Sequence, residues 1–85
     1  MCKRVGFIGI IVHERERVSE KVNKILSENG SCIVARLGVP YKDRNLSVIS
    51  LVVDMTTDEL GSLTGKLGAI EGVSIKSALA KQDKE

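Results

Sequence analysis

Eighty-five residues leave room for one hydrophobic core, and the composition is that of an ordinary globular chain, 42% hydrophobic and 28% charged with a mean hydropathy of +0.04. Thirteen basic against eleven acidic residues give a net charge of +2, far short of the basic excess of a nucleic-acid binder, and both signs are mixed along the chain as on a solvated surface. Cys2 and Cys32 share no CxxC spacing, which excludes a zinc or thioredoxin motif and suits reduced thiols in a cytoplasmic protein.

A basic start, Met1-Cys2-Lys3-Arg4, opens onto Val5 to Val12, an apolar run rich in β-branched residues. The run is too short for a membrane helix and is followed by no small-residue cleavage site. It reads as a first strand buried on both faces. His13 to Arg17 is a polar break, after which Val18, Val22, Ile25 and Leu26 recur as one stripe of a helix. Glu20 and Lys24 sit four apart on its outer side in the favourable order, and Asn29-Gly30 is expected to end it, with Gly30 at positive φ.

Cys32 to Val39 is a second strand closed by Pro40, Pro40 to Asn45 a polar hairpin turn, and Leu46 to Met55 a third strand. Thr56-Thr-Asp-Glu59 spells a capping box. Leu60, Leu63, Leu67 and Ile70 make the second helical stripe, which Gly72 breaks. Val73 to Leu79 is the last strand, with Val73, Ile75 and Leu79 on one face. Lys81 to Glu85 is expected to be a frayed tail on a single domain spanning residues 1–85.

The order β-α-β-β-α-β predicts an α+β, ferredoxin-like sandwich: a four-stranded antiparallel sheet with two helices on one face and the first and third strands in the middle. The residues agree with that placement. The first and third strands are continuously apolar, while the second and fourth carry Arg36 and Lys76. Yet the first strand is apolar on both sides, Phe7 and Ile11 against Ile8, Ile10 and Val12. A helix-free face of that kind is an apolar patch that a soluble monomer seldom exposes. A homo-oligomer, dimer or tetramer, is therefore expected, with another copy covering this face or an edge strand.

Catalytic motifs fail one by one. Gly6-Phe-Ile-Gly9 lies inside a strand, and Leu63-Thr-Gly-Lys-Leu-Gly68 has Leu60 where a phosphate-binding loop needs its first glycine and Leu67 where it needs Ser or Thr. The lone histidine, His13, has no pattern joining it to either cysteine, so neither a nucleophile–base pair nor a metal signature is written. The loop Val12-His-Glu-Arg-Glu-Arg17 lacks the glycines of an acylphosphatase-type cradle. Phe7 and Tyr41, the only aromatic residues, do not make the stacking platform of an RNA-binding sheet. The expectation is a protein that is not an enzyme, with no cofactor and no direct nucleic-acid partner.

Three features remain. His13 and Glu14 sit in a charged loop where the first strand meets the first helix, either a solvated strand end or a ligand site. Arg36, in the middle of an apolar strand, either anchors an acidic ligand or guards a sheet edge against aggregation. Gly61, Gly65 and Gly68 form their own helical stripe, explained either by the close approach of a neighbouring backbone or by simple tolerance of a weak helix.

Met1-Cys-Lys-Arg-Val-Gly-Phe-Ile-Gly-Ile-Ile-Val12, Arg36-Leu-Gly-Val-Pro-Tyr41, Leu46-Ser-Val-Ile-Ser-Leu51, Leu63-Thr-Gly-Lys-Leu-Gly68 and Val73-Ser-Ile-Lys-Ser-Ala78 together resemble the regulators of the iron-only hydrogenase system. These are small ACT-like proteins related in fold to the C-terminal domain of the nickel-responsive regulator. The resemblance implies a ferredoxin-like oligomer of an anaerobic bacterium, linked to hydrogenase expression or maturation. Two departures stand out. The charged loop replaces the glycine of the ACT ligand loop, which speaks against amino-acid binding, and the nickel regulator's several histidines are absent, which speaks against nickel sensing. No DNA-binding arm is expected, so a transcriptional effect would need a partner. Two functions follow from the resemblance and the residues together. One is a regulatory module binding a small effector at a subunit interface near His13, Glu14 and Arg36. The alternative is an adaptor that docks on a hydrogenase maturation factor or a transcriptional regulator through an edge strand, without a small ligand.

Overall fold

A computed structural model of the protein describes residues 3–13 and 15–81, with residues 15–17 as backbone alone. Cys2, Glu14 and all but the first residue of the expected tail lie outside the described residues. In chain order the elements are β1 (Arg4–His13), α1 (Arg15–Glu28), β2 (Ile33–Tyr41), β3 (Leu46–Met55), α2 (Thr57–Gly68) and β4 (Val73–Leu79), with short 3-10 turns at Gly30–Cys32 and Lys42–Arg44. The strands form one sheet in the order β2-β3-β1-β4, every neighbouring pair antiparallel. β1 and β3 are thus the central strands, as their apolar sequences require.

Alternation along these two strands sets the position of the core. Ile8, Ile10 and Val12 of β1, with Ile49, Leu51, Val53 and Met55 of β3, are buried on one side of the sheet. α1 lays Val18, Val22 and Leu26 on that side and α2 adds Leu63 and Leu67, so both helices cover the same face. Each such side chain contributes roughly 1.5–3 kcal/mol by leaving water. The other face of β1 presents Val5, Phe7 and Ile11 to solvent. Successive strand residues point to opposite sides, so the strand expected to be buried on both faces is buried on only one within this chain.

The capping box at α2 forms as written: the Thr56 hydroxyl oxygen accepts from the Glu59 N–H at 3.1 Å, and the Thr56 N–H donates to the Glu59 carboxylate at 2.8 Å. α1 ends differently from expectation. Gly30 belongs to a 3-10 turn and does not take positive φ. The Asn29 side-chain amide donates to the Ile25 carbonyl at 2.8 Å, satisfying one of the last helical acceptors. The glycine at positive φ is Gly72, φ 91°, in the turn from α2 into β4, where its carbonyl accepts from the His13 N–H at 2.7 Å. Pro40 does not close β2. The strand continues to Tyr41, Pro40 pairing with Ser47, because an edge strand has no second neighbour to miss the absent N–H. The polar break expected at His13 to Arg17 is the end of β1 and the start of α1.

Candidate functional site

A groove opens where α1 leaves the edge of the sheet uncovered. β2 pairs with β3 alone, and on the helix side it displays Arg36, Gly38 and Pro40, which lie opposite Leu51, Ile49 and Ser47. Gly38 has no side chain to fill the space, and nothing stands within 4 Å of where a Cβ would be. The result is a groove of about 230 Å³ between α1 and β2. Its floor is apolar, built from Val12, Val22 and Ile49, and its rim is polar, built from Ser19 and Asn23 of α1, Arg36 of β2 and Ser47 of β3.

Arg36 bridges the two walls. Its Nη2 donates to Asn23 Oδ1 at 2.6 Å across the groove mouth. A guanidinium carries five N–H donors in a planar fork, so one contact to an amide orients the group without exhausting it. None of the described lining residues is acidic. Chemically the groove offers a fixed cation, hydroxyl and amide groups, and a greasy floor, which suits a small molecule with one anionic group and one apolar part.

Within a single chain His13 and Arg36 do not come together. His13 ends β1 opposite Leu46, on the open side of the sheet shared with Ile11, whereas Arg36 lies opposite Leu51 on the helix side, beyond β3. Glu14 is outside the described residues. Cys32 is buried, its thiol donating to Glu59 in the first turn of α2 at 3.6 Å, near the end of the sheet opposite His13. Among the described residues no three His, Cys, Asp or Glu side chains come together as a metal site. Among the same described residues, no helix is long and apolar enough to cross a membrane.

Asn23, Ser19, Gly38 and Ser47 escaped the sequence reading, although a signal existed. Ser19 and Asn23 are four apart and flank the Val18/Val22 stripe, and Gly38 follows Arg36 by two residues, hence on the same side of the strand.

A βαββαβ chain with this sheet order and both helices on one face is a ferredoxin-like domain of the ACT kind. Its relatives are specific: residues 4–77 match the TM1266-like family, described as "Iron-only hydrogenase system regulator, putative". The protein TM1266 of Thermotoga maritima is similar at 37% identity with a TM-score of 0.89, over 93% of this chain and 99% of that one. The chain belongs to this family. The ACT domain of the GTP pyrophosphokinase of Chlorobium tepidum shares the fold at 20% identity, with a TM-score of 0.73 over 92% of this chain and 89% of that one. So does CPII of Thiomonas intermedia K12, a nitrogen regulatory PII-like protein solved with ADP, AMP and bicarbonate, at 13% identity and a TM-score of 0.50 over 94% and 96%. None of the curated protein sequences matched the chain.

Proposed function

We propose that this protein is a cytoplasmic regulatory module of the iron-only hydrogenase system, working as a homo-oligomer that takes a small anionic effector in the groove between α1 and β2. The observation that carries the reading is Arg36, held at 2.6 Å by Asn23 over an apolar floor with no acid among the described lining residues. A carboxylate or phosphate there accepts two parallel N–H bonds from the guanidinium, while Val22 and Ile49 receive the apolar remainder. Family membership supports the regulatory half. The apolar open face of the sheet, with Phe7 and Leu37 more than half exposed, supports self-association. His13, on the other side of the sheet, enters the effector site in this reading only if a second copy carries it there.

Thermal-shift screening tests the reading. The panel holds small carboxylates, inorganic phosphate, bicarbonate, adenine nucleotides, amino acids and divalent metals. At least one anion is expected to raise the melting temperature in a dose-dependent way, and a flat profile for the whole panel contradicts the effector site. The adaptor reading has one observation in its favour. Among the described residues β4 pairs only with β1, leaving the outer edge of Val73–Leu79 to receive an added strand. A flat panel together with a stoichiometric partner in affinity purification from a native host selects that alternative.

A further inference from the structure

Gly9 sits in the middle of the central strand β1, where a glycine weakens the sheet, and the chain itself gives no reason for it. Its φ is not positive, and a Cβ there would meet nothing nearer than the Lys76 carbonyl oxygen at 3.9 Å. An unexplained strand glycine marks a place where another surface comes close. On the open face it leaves a notch of about 360 Å³ bordered by Ile11, Val48, Ser74 and Lys76. Two residues away on the same strand and the same face stands Phe7, 56% exposed.

We propose that the open face is a two-fold dimer interface whose axis crosses β1 at right angles between Phe7 and Gly9, so that Phe7 of each copy fills the notch at Gly9 of the other. This inference rests on the self-association proposed above and specifies its geometry. A two-fold axis makes residue i meet j and j meet i, so a knob and a hole in one strand are enough for both copies. The neighbouring strands repeat the pattern. Val52 and Ser50 of β3 lie level with Phe7 and Gly9, and Ala35 and Leu37 of β2 lie level with Val52 and Ser50. The same rotation therefore sets a large side chain against a small one in each of these three strands. Lys76 meets Ala78, with its aliphatic stem on the surface and its ammonium free to reach the rim.

The area is adequate. Val5, Phe7, Ile11, Leu37, Val39, Tyr41, Val48 and Val52, between 37% and 64% exposed, lie on this face. Exposed to this extent, they make an apolar surface on the order of the ~800 Å² per partner of a standard interface. Aligned sheets pack face to face within about 30° of each other, which keeps the central strands in register as this arrangement requires.

Sedimentation equilibrium on four forms of the full chain tests the geometry, with circular dichroism verifying that each is folded. The wild type is expected to self-associate at micromolar concentration. Phe7→Ala and Gly9→Val should each raise the dissociation constant by about 30-fold or more, the scale of an interface hot spot. The double variant Phe7→Ala/Gly9→Phe moves the knob to position 9 and the hole to position 7, and should restore association to within about 10-fold of wild type. A Gly9→Val protein that associates like wild type, or a double variant no tighter than Phe7→Ala, overturns this geometry while leaving self-association standing. A wild type that stays monomeric at about 100 µM, far above the micromolar association expected of it, overturns both.

Discussion

Gly6 of β1 lies directly opposite Leu79 of β4, so close that a methyl group at position 6 would meet the Leu79 Cα at 2.8 Å and run into the Ala78 carbonyl oxygen. The contact is with backbone, which cannot swing aside. Gly6 thereby lets β4 lie flat against the central strand. Gly6→Ala is expected to destabilise the fold by about 1–3 kcal/mol, the usual penalty of overpacking. At about 4–8 °C per kcal/mol for a domain of this size, thermal unfolding resolves the loss easily.

Gly65 gives the opposite result. It lies in α2 with nothing within 4 Å of the position a Cβ would take, so the glycine stripe of α2 has no close neighbour inside the chain at this point. Gly65→Ala is expected to stabilise the helix by about 0.5–1 kcal/mol and to raise the melting temperature without changing the sedimentation coefficient. A variant that loses its oligomeric state would instead reveal another copy packed on α2.

The capping box links stability to pH. The Thr56 N–H donates to the Glu59 carboxylate, and this bond is the main cause that holds the Glu59 pKa below its ordinary value. In the range between the folded and unfolded values the unfolded chain binds more protons, so stability rises with pH there. The contribution is present above the ordinary glutamate range and disappears as pH falls through the depressed folded value. Glu59→Gln removes this titration. The gap in stability between wild type and variant should narrow as pH falls from neutrality through 4, as read by urea unfolding at several pH values. A gap independent of pH would contradict the assignment.

Much of the architecture was legible because local signals and tertiary demands coincided. The dense run Leu46 to Met55 is β3 from end to end, Thr56 and Glu59 cap α2 as their spacing requires, and the polar residues Arg36 and Lys76 sit on edge strands. Where they diverged, a neighbour decided. Pro40 stays in β2 because that strand is an edge, and Gly30 is spared positive φ because the Asn29 side chain caps α1. The site was legible in one residue. Arg36 is conspicuous as a charge in an apolar strand, but its partner Asn23 and the space at Gly38 depend on where α1 crosses the sheet, which residue spacing does not encode. His13 and Arg36 face opposite sides of the sheet, so the subunit-interface site expected of them needs a second copy to bring them together.

Gly38 separates occupancy of the groove from integrity of the fold. Its Cβ position is open, and β2 is an edge strand. Gly38→Val should therefore leave stability unchanged or raise it by up to the ~1 kcal/mol span of strand propensity, while its isopropyl group occupies the groove. The ligand-induced thermal shift of the wild type should be lost. A full shift in this variant would mean that the ligand binds elsewhere.

Isothermal titration of the most stabilising anion into wild type and Arg36→Gln, side by side, decides whether Arg36 anchors an effector. Glutamine keeps a donor near Asn23 but removes the charged fork. Loss of a charge-assisted bond worth about 1.5–3 kcal/mol should weaken binding by roughly 10- to 150-fold, with the unliganded melting temperature unchanged. Equal affinity for the two proteins, or no binding of any panel anion to the wild type, would contradict an effector site anchored by Arg36.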